Sequence, residues 1–336
     1  MEIKEITGDQ PVSGEFLIVE NQLRTAKNGS CYLALRIADK TGEIAAKVWD
    51  ADEATYRKLG VGQVIRLHNV QPKIYKDQIQ LEWEAKKTDF FTVLPETKVD
   101  YGKFLPQAPG NLAEYWDYLV KTIAEIEEPS LKKLLRVFFD DQEFVDRFVK
   151  VPAALKRHHA YIGGLLEHTA GVTAVCKAAA AYYPMVNKDL LLTGAILHDI
   201  GKTRTYKMER GFDGTDPGKL LGHLILGVNM VERAIAELFG KPAEDTGDPL
   251  LMSLVHLLVS HHGIMEWGSP VEPLTLEACI LHHADNMDAQ ITKFLAIIRN
   301  RSRDEDWAVF DPGLGRSIYL KGLNERPERD DLSEGA

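Results

Sequence analysis

The period of the apolar residues changes once along this chain, from two to about three and a half, and that change constrains the fold more than any other feature. Up to residue 92, five segments alternate apolar and polar: "EFLIVENQL", "SCYLALRIA", "GEIAAKVWD", "QVIRLHNVQPKIY" and "QIQLEWEAK". They are separated by Asn-Gly, Thr-Gly and Lys-Asp turns. Between the third and fourth, "ADEATYRKLG" reads as one short polar helix ending in Gly60. Three strands, a helix and two strands is the order of an OB-fold barrel. From about residue 111 the spacing is helical, as in "LAEYWDYLVKTIAEIEE", "LLEHTAGVTAVCKAAAAYY" and "LTLEACILHHADNMDAQITKFLAIIRN". Between the two regimes, "TVLPETKVDYGKFLPQAPGN" has three prolines and no period. The expected organisation is therefore an all-β OB-fold over 1–92, a linker over 93–110, an all-α domain over 111–310, and a C-terminal tail over 311–336. The end of that tail, "NERPERDDLSEGA", reads as solvated and disordered.

Composition excludes several classes. No apolar stretch approaches the roughly 18 residues of a membrane span, and the N-terminus "MEIKEITGDQ" is charged and lacks a signal-like core, so a cytoplasmic protein without membrane attachment is expected. Cys31, Cys176 and Cys279 are too scattered for a disulfide framework or a CxxC metal site, which leaves any metal to histidines and carboxylates. A net charge of −10 argues against bulk electrostatic capture of nucleic acid, while a local basic groove remains compatible with it.

The chemistry-bearing residues lie in the helical part. The run from Asn187 in "LLLTGAILHDIGK" reads as a helix capped by Asn187 and stopped by Gly201, which puts His198 and Asp199 in its last turn. Neighbours on a helix point about 100° apart, yet both reach one cation sitting at the helix end, and imidazole with carboxylate suits Zn, Mn or Fe. Taken singly, each histidine fits a hydrogen-bonded core position as well. Company favours a site: His168 in "GLLEHTAG", His223 in "KLLGHLILG", His261 and His262 in "LVSHHG", and Asp285 in "LHHADNMDA" all have mostly apolar neighbours, where unpaired polar groups cost free energy. Asp288, one turn after Asp285, reads as a supporting partner. His158 and His159 in "LKRHHAYIGG" read either as phosphate donors or leaving-group acids, or as structural residues. His256, His282 and His283 read as structural.

The order His168, His198-Asp199, Asp285 resembles the H…HD…D pattern of the HD-domain metal-dependent phosphohydrolases, an all-helical superfamily. His223 and the pair His261-His262 are similar to the additional ligands of its binuclear members. The resemblance thus implies a set of His168, His198, Asp199, His223, His261, His262 and Asp285 around two divalent ions. Members of the cyclic-dinucleotide branch with three ions carry a Glu one turn before the first His, where this chain has Gly164, and a Gly-Tyr-Pro signature after the His pair, where it reads "HHGIMEWGSPVEP". Hydrolysis of a cyclic dinucleotide or a nucleotide therefore ranks second. With a metal pair supplying hydroxide, Asp199 is the natural bridging ligand, and Lys202, one turn on, is placed to hold a non-bridging phosphate oxygen, with a solvated surface lysine as the alternative.

An OB-fold binds single strands across strands two and three by aromatic stacking and a positive groove. Alternation turns Leu33, Leu35, Ile37, Ile44, Ala46 and Val48 to one face and Tyr32, Arg36, Lys47 and Trp49 to the other. With Arg24, Lys27, Lys73, Tyr75 and Lys76 at the loop edges, these make a candidate nucleic-acid surface, although 13 basic against 14 acidic residues in 1–92 give no basic excess. An OB-fold joined to "HHAYIGGLLEHT", "LLLTGAILHDIGK" and "SHHGIMEWGSPVEP" resembles the YhaM family of bacterial 3′-to-5′ exoribonucleases along nearly the whole chain. That resemblance implies Mn²⁺-dependent release of nucleoside 5′-monophosphates from the 3′ end of single-stranded RNA, extending to single-stranded DNA; Fe or another transition metal is the alternative cofactor. A di-iron oxygenase and a non-catalytic RNA-binding protein are the readings of other classes. Homo-oligomer formation is left open.

Overall fold

A computed structural model describes residues 1–26, 29–75, 78–155, 159–208, 211–299 and 306–323. The N-terminal part comprises β1 (Val12–Thr25), β2 (Cys31–Asp39), β3 (Gly42–Trp49), α1 (Glu53–Lys58), β4 (Val64–Val70), β5 (Pro72–Tyr75), β6 (Gln78–Glu84) and β7 (Phe91–Val93). β1, β2 and β3 form an antiparallel meander. The single segment expected over "QVIRLHNVQPKIY" is two strands. It breaks at Gln71, before a proline that cannot donate to a ladder. The break lets β4 pair with β1 while β5 pairs with β6, and β6 runs parallel to β3. Those pairings give the order β5-β6-β3-β2-β1-β4-β7, in which β4 and β5, joined at Gln71, lie on opposite flanks of the sheet, the connectivity of an OB barrel. β7, three residues on the far edge of β4, was hidden in the proline-rich stretch because it is too short to show a period. α1 begins at Asp52, whose carboxylate accepts from the Thr55 amide at 2.8 Å. Phe16, Ile18, Leu33, Ile37, Val48, Ile65, Leu67 and Leu81 fill the barrel, each contributing about 1.5–3 kcal/mol of burial.

The segment read as a linker is a packed joint. Phe104 and Leu105 are buried with Leu17 and Val64 of the barrel, and Ile162 and Phe212 of the helical part close over them. Ile162 donates its amide to the Pro106 carbonyl at 2.8 Å and accepts from the Ala108 amide at 3.0 Å.

The second part contains α2 (Leu112–Ala124), α3 (Pro129–Phe139), α4 (Gln142–Phe148), α5 (Gly164–Tyr182), α6 (Lys188–Leu197), α7 (Lys202–Thr205), α8 (Asp216–Phe239), α9 (Ala243–Thr246), α10 (Pro249–Ser260) and α11 (Leu276–Arg299). It is not wholly α: a hairpin of β8 (Tyr206–Met208) and β9 (Phe212–Gly214) follows α7. α6 is the axis. Every residue from Leu190 to Leu197 is buried, as its unbroken apolar run requires, and α5, α10 and α11 pack around it. The tail expected from 311 is attached at its start: Ile318 and Leu320 pack on Phe294, Ile297 and Ile298. The segment 324–336, read as disordered, lies outside the described residues. No described helix is long and apolar enough to cross a membrane, and the three cysteines are free.

Candidate metal centre and strand-binding face

Five segments deliver the candidate ligands to the C-terminal end of α6. His168 comes from α5, His198 and Asp199 from the turn after α6, His223 from α8, His261 and His262 from the end of α10, and Asp285 from α11. The side chain of Asn187 caps α6 through the Leu190 amide at 3.1 Å. Gly201 does not stop the helix as expected. Its φ of −58° and ψ of −22° are right-handed helical, and the chain runs on into α7. Its missing side chain answers a close approach instead: a Cβ there would lie 2.0 Å from the His223 carbonyl oxygen. α8 in turn bends at Gly222, and His223 is the first residue past the bend.

Asp199 stands between two groups of nitrogens. Its Oδ2 lies 3.2 Å from His168 Nε2 and 3.3 Å from His198 Nε2, and His168 Nε2 is 3.2 Å from Asp285 Oδ1. Its Oδ1 lies 3.3 Å from His223 Nε2 and 3.8 Å from His261 Nε2, while His223 and His262 face each other Nε2 to Nε2 at 3.2 Å. Ligands about 2.0–2.2 Å from one ion stand roughly 3 Å from one another, so these spacings fit shared cations. Asp199 Oδ1 and His261 Nε2 are buried and have no hydrogen-bond partner among the described residues, a costly arrangement that a cation between them relieves.

The far side of each ring fixes its tautomer. Nδ1–H of His198 donates to the Ala195 carbonyl at 2.8 Å, that of His261 to Leu258 at 2.8 Å and that of His262 to Trp267 at 2.7 Å, which leaves each Nε2 lone pair facing inward. Burial lowers His261 well below the ordinary value, with the neighbouring His198 and His262 adding to it, and lowers His223 to about 3, so both rings are neutral as ligation requires. Burial would raise Asp199, but Lys202 and His198 pull it well below the usual carboxylate range. Lys202 is only 7% exposed and its ammonium sits on Asp199 Oδ2, so this lysine is not a solvated surface residue.

A second layer supports His168. Its Nδ1 lies 2.7 Å from Asp288 Oδ2, and the same oxygen takes His159 Nε2 at 2.8 Å. His159 Nδ1 reaches the Tyr161 hydroxyl at 2.8 Å, and Glu167 accepts from Tyr161 and, at 3.1 Å, from Tyr115. His159 thus stands behind His168 with both ring nitrogens engaged. His158 lies outside the described residues. Sequence reasoning missed Tyr161, Glu167 and Tyr115, because their meeting depends on the turn at 159–163. Gly164 belongs to that turn: a Cβ there would lie 2.0 Å from the His159 carbonyl oxygen, so the Glu of three-ion relatives has no room.

On the barrel, Tyr32 and Trp49 rings lie 5.1 Å apart, and the Lys47 ammonium sits 4.8 Å from the Tyr75 ring and 5.8 Å from that of Trp49. The centre of this face is a carboxylate the alternation did not single out. Glu82 accepts from Trp49 Nε1 at 3.0 Å and Lys73 at 2.8 Å, with Lys47 at 4.0 Å. Burial would raise Glu82, but Lys73 and Trp49 hold it below the usual range. Its place opposite Lys47 comes from the parallel pairing of β3 with β6, which no local pattern announces. Arg36 is drawn off between Glu20 at 3.8 Å and Glu43 at 3.7 Å, and Arg24 donates to Gln22 at 3.1 Å. Lys27 and Lys76 lie outside the described residues.

Known proteins resemble the chain at both scales. A family model described as HD domain matches residues 165–290. The 3′-5′ exoribonuclease YhaM of Listeria welshimeri is 33% identical over 292 residues, covering 86% of this chain and 89% of the relative. The protein of the same name from Bacillus subtilis is 34% identical over 282 residues, covering 82% and 84%. The solved OB domain of Ta0387 from Thermoplasma acidophilum, at 13% identity and a TM-score of 0.24, covers 30% of this chain and 88% of that one. The barrel assignment rests on the strand pairing.

Proposed function

Because this chain belongs to the 3′-5′ exoribonuclease YhaM family, we propose that it is a metal-dependent exoribonuclease that removes nucleoside 5′-monophosphates from the 3′ end of single-stranded RNA. The barrel, residues 1–92, holds the strand, residues 111–310 cut it, and 93–110 join the two. The observation that carries the reading is the split of Asp199, one oxygen among His168, His198 and Asp285 and the other among His223, His261 and His262. Those two sets would hold two divalent ions; Mn²⁺ is proposed from the family resemblance, and imidazole with carboxylate suits it. A metal pair supplies hydroxide at neutral pH and neutralises phosphoryl oxygens in an in-line displacement. Asp199 fixes the spacing of the two sets. Asp288 and His159 hold the His168 ring, and the buried Lys202 ammonium stands beside the bridging carboxylate where a non-bridging phosphate oxygen gathers charge. Stacking and backbone contacts do not require a 2′-hydroxyl, so single-stranded DNA is a second substrate.

Incubation of a 5′-labelled single-stranded RNA with Mn²⁺, Mg²⁺ or EDTA tests the reading. A ladder shortened from the 3′ end, absent in EDTA, is expected; internal cuts or intact RNA would overturn it.

The barrel face gives a separate expectation. Trp49→Ala or Tyr32→Ala weakens single-strand binding by about 1–3 kcal/mol, the worth of one stacked base. Because Glu82 already neutralises part of the charge of Lys47 and Lys73, the salt dependence of binding is shallow. Fluorescence anisotropy titrations at several salt concentrations measure both, and unchanged binding in the two variants rules this face out.

A further inference from the structure

We propose that Trp267 is the platform on which the 3′-terminal nucleobase stacks, fixing the last nucleotide beside the His223–His262 side of the centre. The inference rests on the ribonuclease reading above. The Trp267 carbonyl accepts Nδ1–H of His262 at 2.7 Å, and the Nε2 of that ring meets His223 at 3.2 Å, so the backbone of Trp267 is bonded directly to a candidate ligand. Yet the side chain is not buried with the ligands it supports: it is 52% exposed.

The loop that presents it is tightly built. The Trp267 amide donates to Ile264 at 3.1 Å and that of Gly268 to Met265 at 2.8 Å. The hydroxyl of the buried Ser269 reaches the Val259 carbonyl at 3.1 Å and that of Val271 at 2.7 Å. One side of the indole rests near the His282 ring, at a centroid separation of 6.0 Å, and His282 in turn donates through Nδ1 to the His261 carbonyl at 2.9 Å. The backbone of Trp267 is thus tied to His262 and its ring lies against His282, which is tied to His261. Across the pair His261-His262, the bend at Gly222 brings a second apolar side chain to the rim: Leu221, two residues before His223, is 51% exposed. A fixed, half-exposed indole beside phosphate-binding chemistry takes the flat face of any base, which is the recognition a non-selective exonuclease needs.

The test compares kcat/KM on an RNA with an intact 3′-terminal nucleotide and on the same RNA ending in an abasic ribose. Wild type favours the intact end by about tenfold or more if a base stacks there. Trp267→Leu, which keeps apolar bulk without a π face, brings the two rates together, and Trp267→Phe keeps most of the difference. Elemental analysis of each variant shows whether the support of His262 has survived. Discrimination that persists in full in Trp267→Leu, or is absent from a wild type that still shortens RNA, overturns this inference alone. A wild type that shortens neither RNA overturns the ribonuclease reading and the inference with it.

Discussion

Asp199→Asn removes RNA shortening, with a loss on the order of a thousandfold or more, because the two oxygens of this carboxylate face the two groups of donors separately. The amide keeps the shape of the side chain and an oxygen for the Lys202 ammonium, so the chain stays folded. It has lost the second anionic oxygen. Asp199→Ala is the harsher variant: it strands the buried Lys202 charge, and breaking a buried pair costs about 3–5 kcal/mol. Single-turnover rates at saturating Mn²⁺, circular dichroism and the rise in thermal midpoint on adding metal read the two effects separately, since a ligand that binds only the folded state stabilises it. Asp199→Asn retaining half the wild-type rate would mean that the carboxylate does not bridge.

Gly201→Ala has the second largest expected effect, although the residue bears no functional group. The added methyl would lie 2.0 Å from the His223 carbonyl oxygen and 2.5 Å from the Gly227 amide nitrogen. Both are backbone atoms that no rotamer can clear. α8 must retreat, carrying His223 away from Asp199 Oδ1 and from His262. Overpacking of this kind costs about 1–3 kcal/mol, read as a fall in thermal midpoint of about 2–4 °C per kcal/mol for a domain of this size. Activity falls by an order of magnitude or more, since a displacement of about 1 Å near the chemistry costs about a hundredfold. Gly60→Ala is the control, because its methyl meets only Arg57 oxygen at an ordinary 3.5 Å. Equal melting and equal rates in the two variants would show that the approach of α7 to α8 is not what sets His223.

These two residues mark how far the sequence could be read. The doublet His198-Asp199 was legible because a carboxylate and an imidazole closing an apolar helix have few other reasons to be there. The inward faces of β2 and β3 were legible because alternation alone orders them. Gly201 was visible but misread: a glycine after a helix looks like a left-handed stop, and only the crossing of α8 reveals that it is there for space. Gln71 and Glu82 were opaque for a related reason. Where a strand changes partner, and which carboxylate faces Lys47 across a parallel pair, are decided by barrel closure, which joins segments far apart in the chain. His159 shows the limit at the site itself. Its residue type suits acid–base chemistry, and its position behind His168 follows from a turn at positive φ, 52°, that no local pattern demands.

The donors are spread from α5 to α11, and Asp285 lies in the last helix among the described residues. During synthesis the barrel strands emerge before the helical part, whereas the candidate metal centre is complete only once α11 has been made. A chain halted before Asp285 carries the candidate strand-binding face and lacks one member of the candidate ligand set. Under the proposed function, a fragment that stops before Asp285 is therefore expected to bind single-stranded RNA without shortening it.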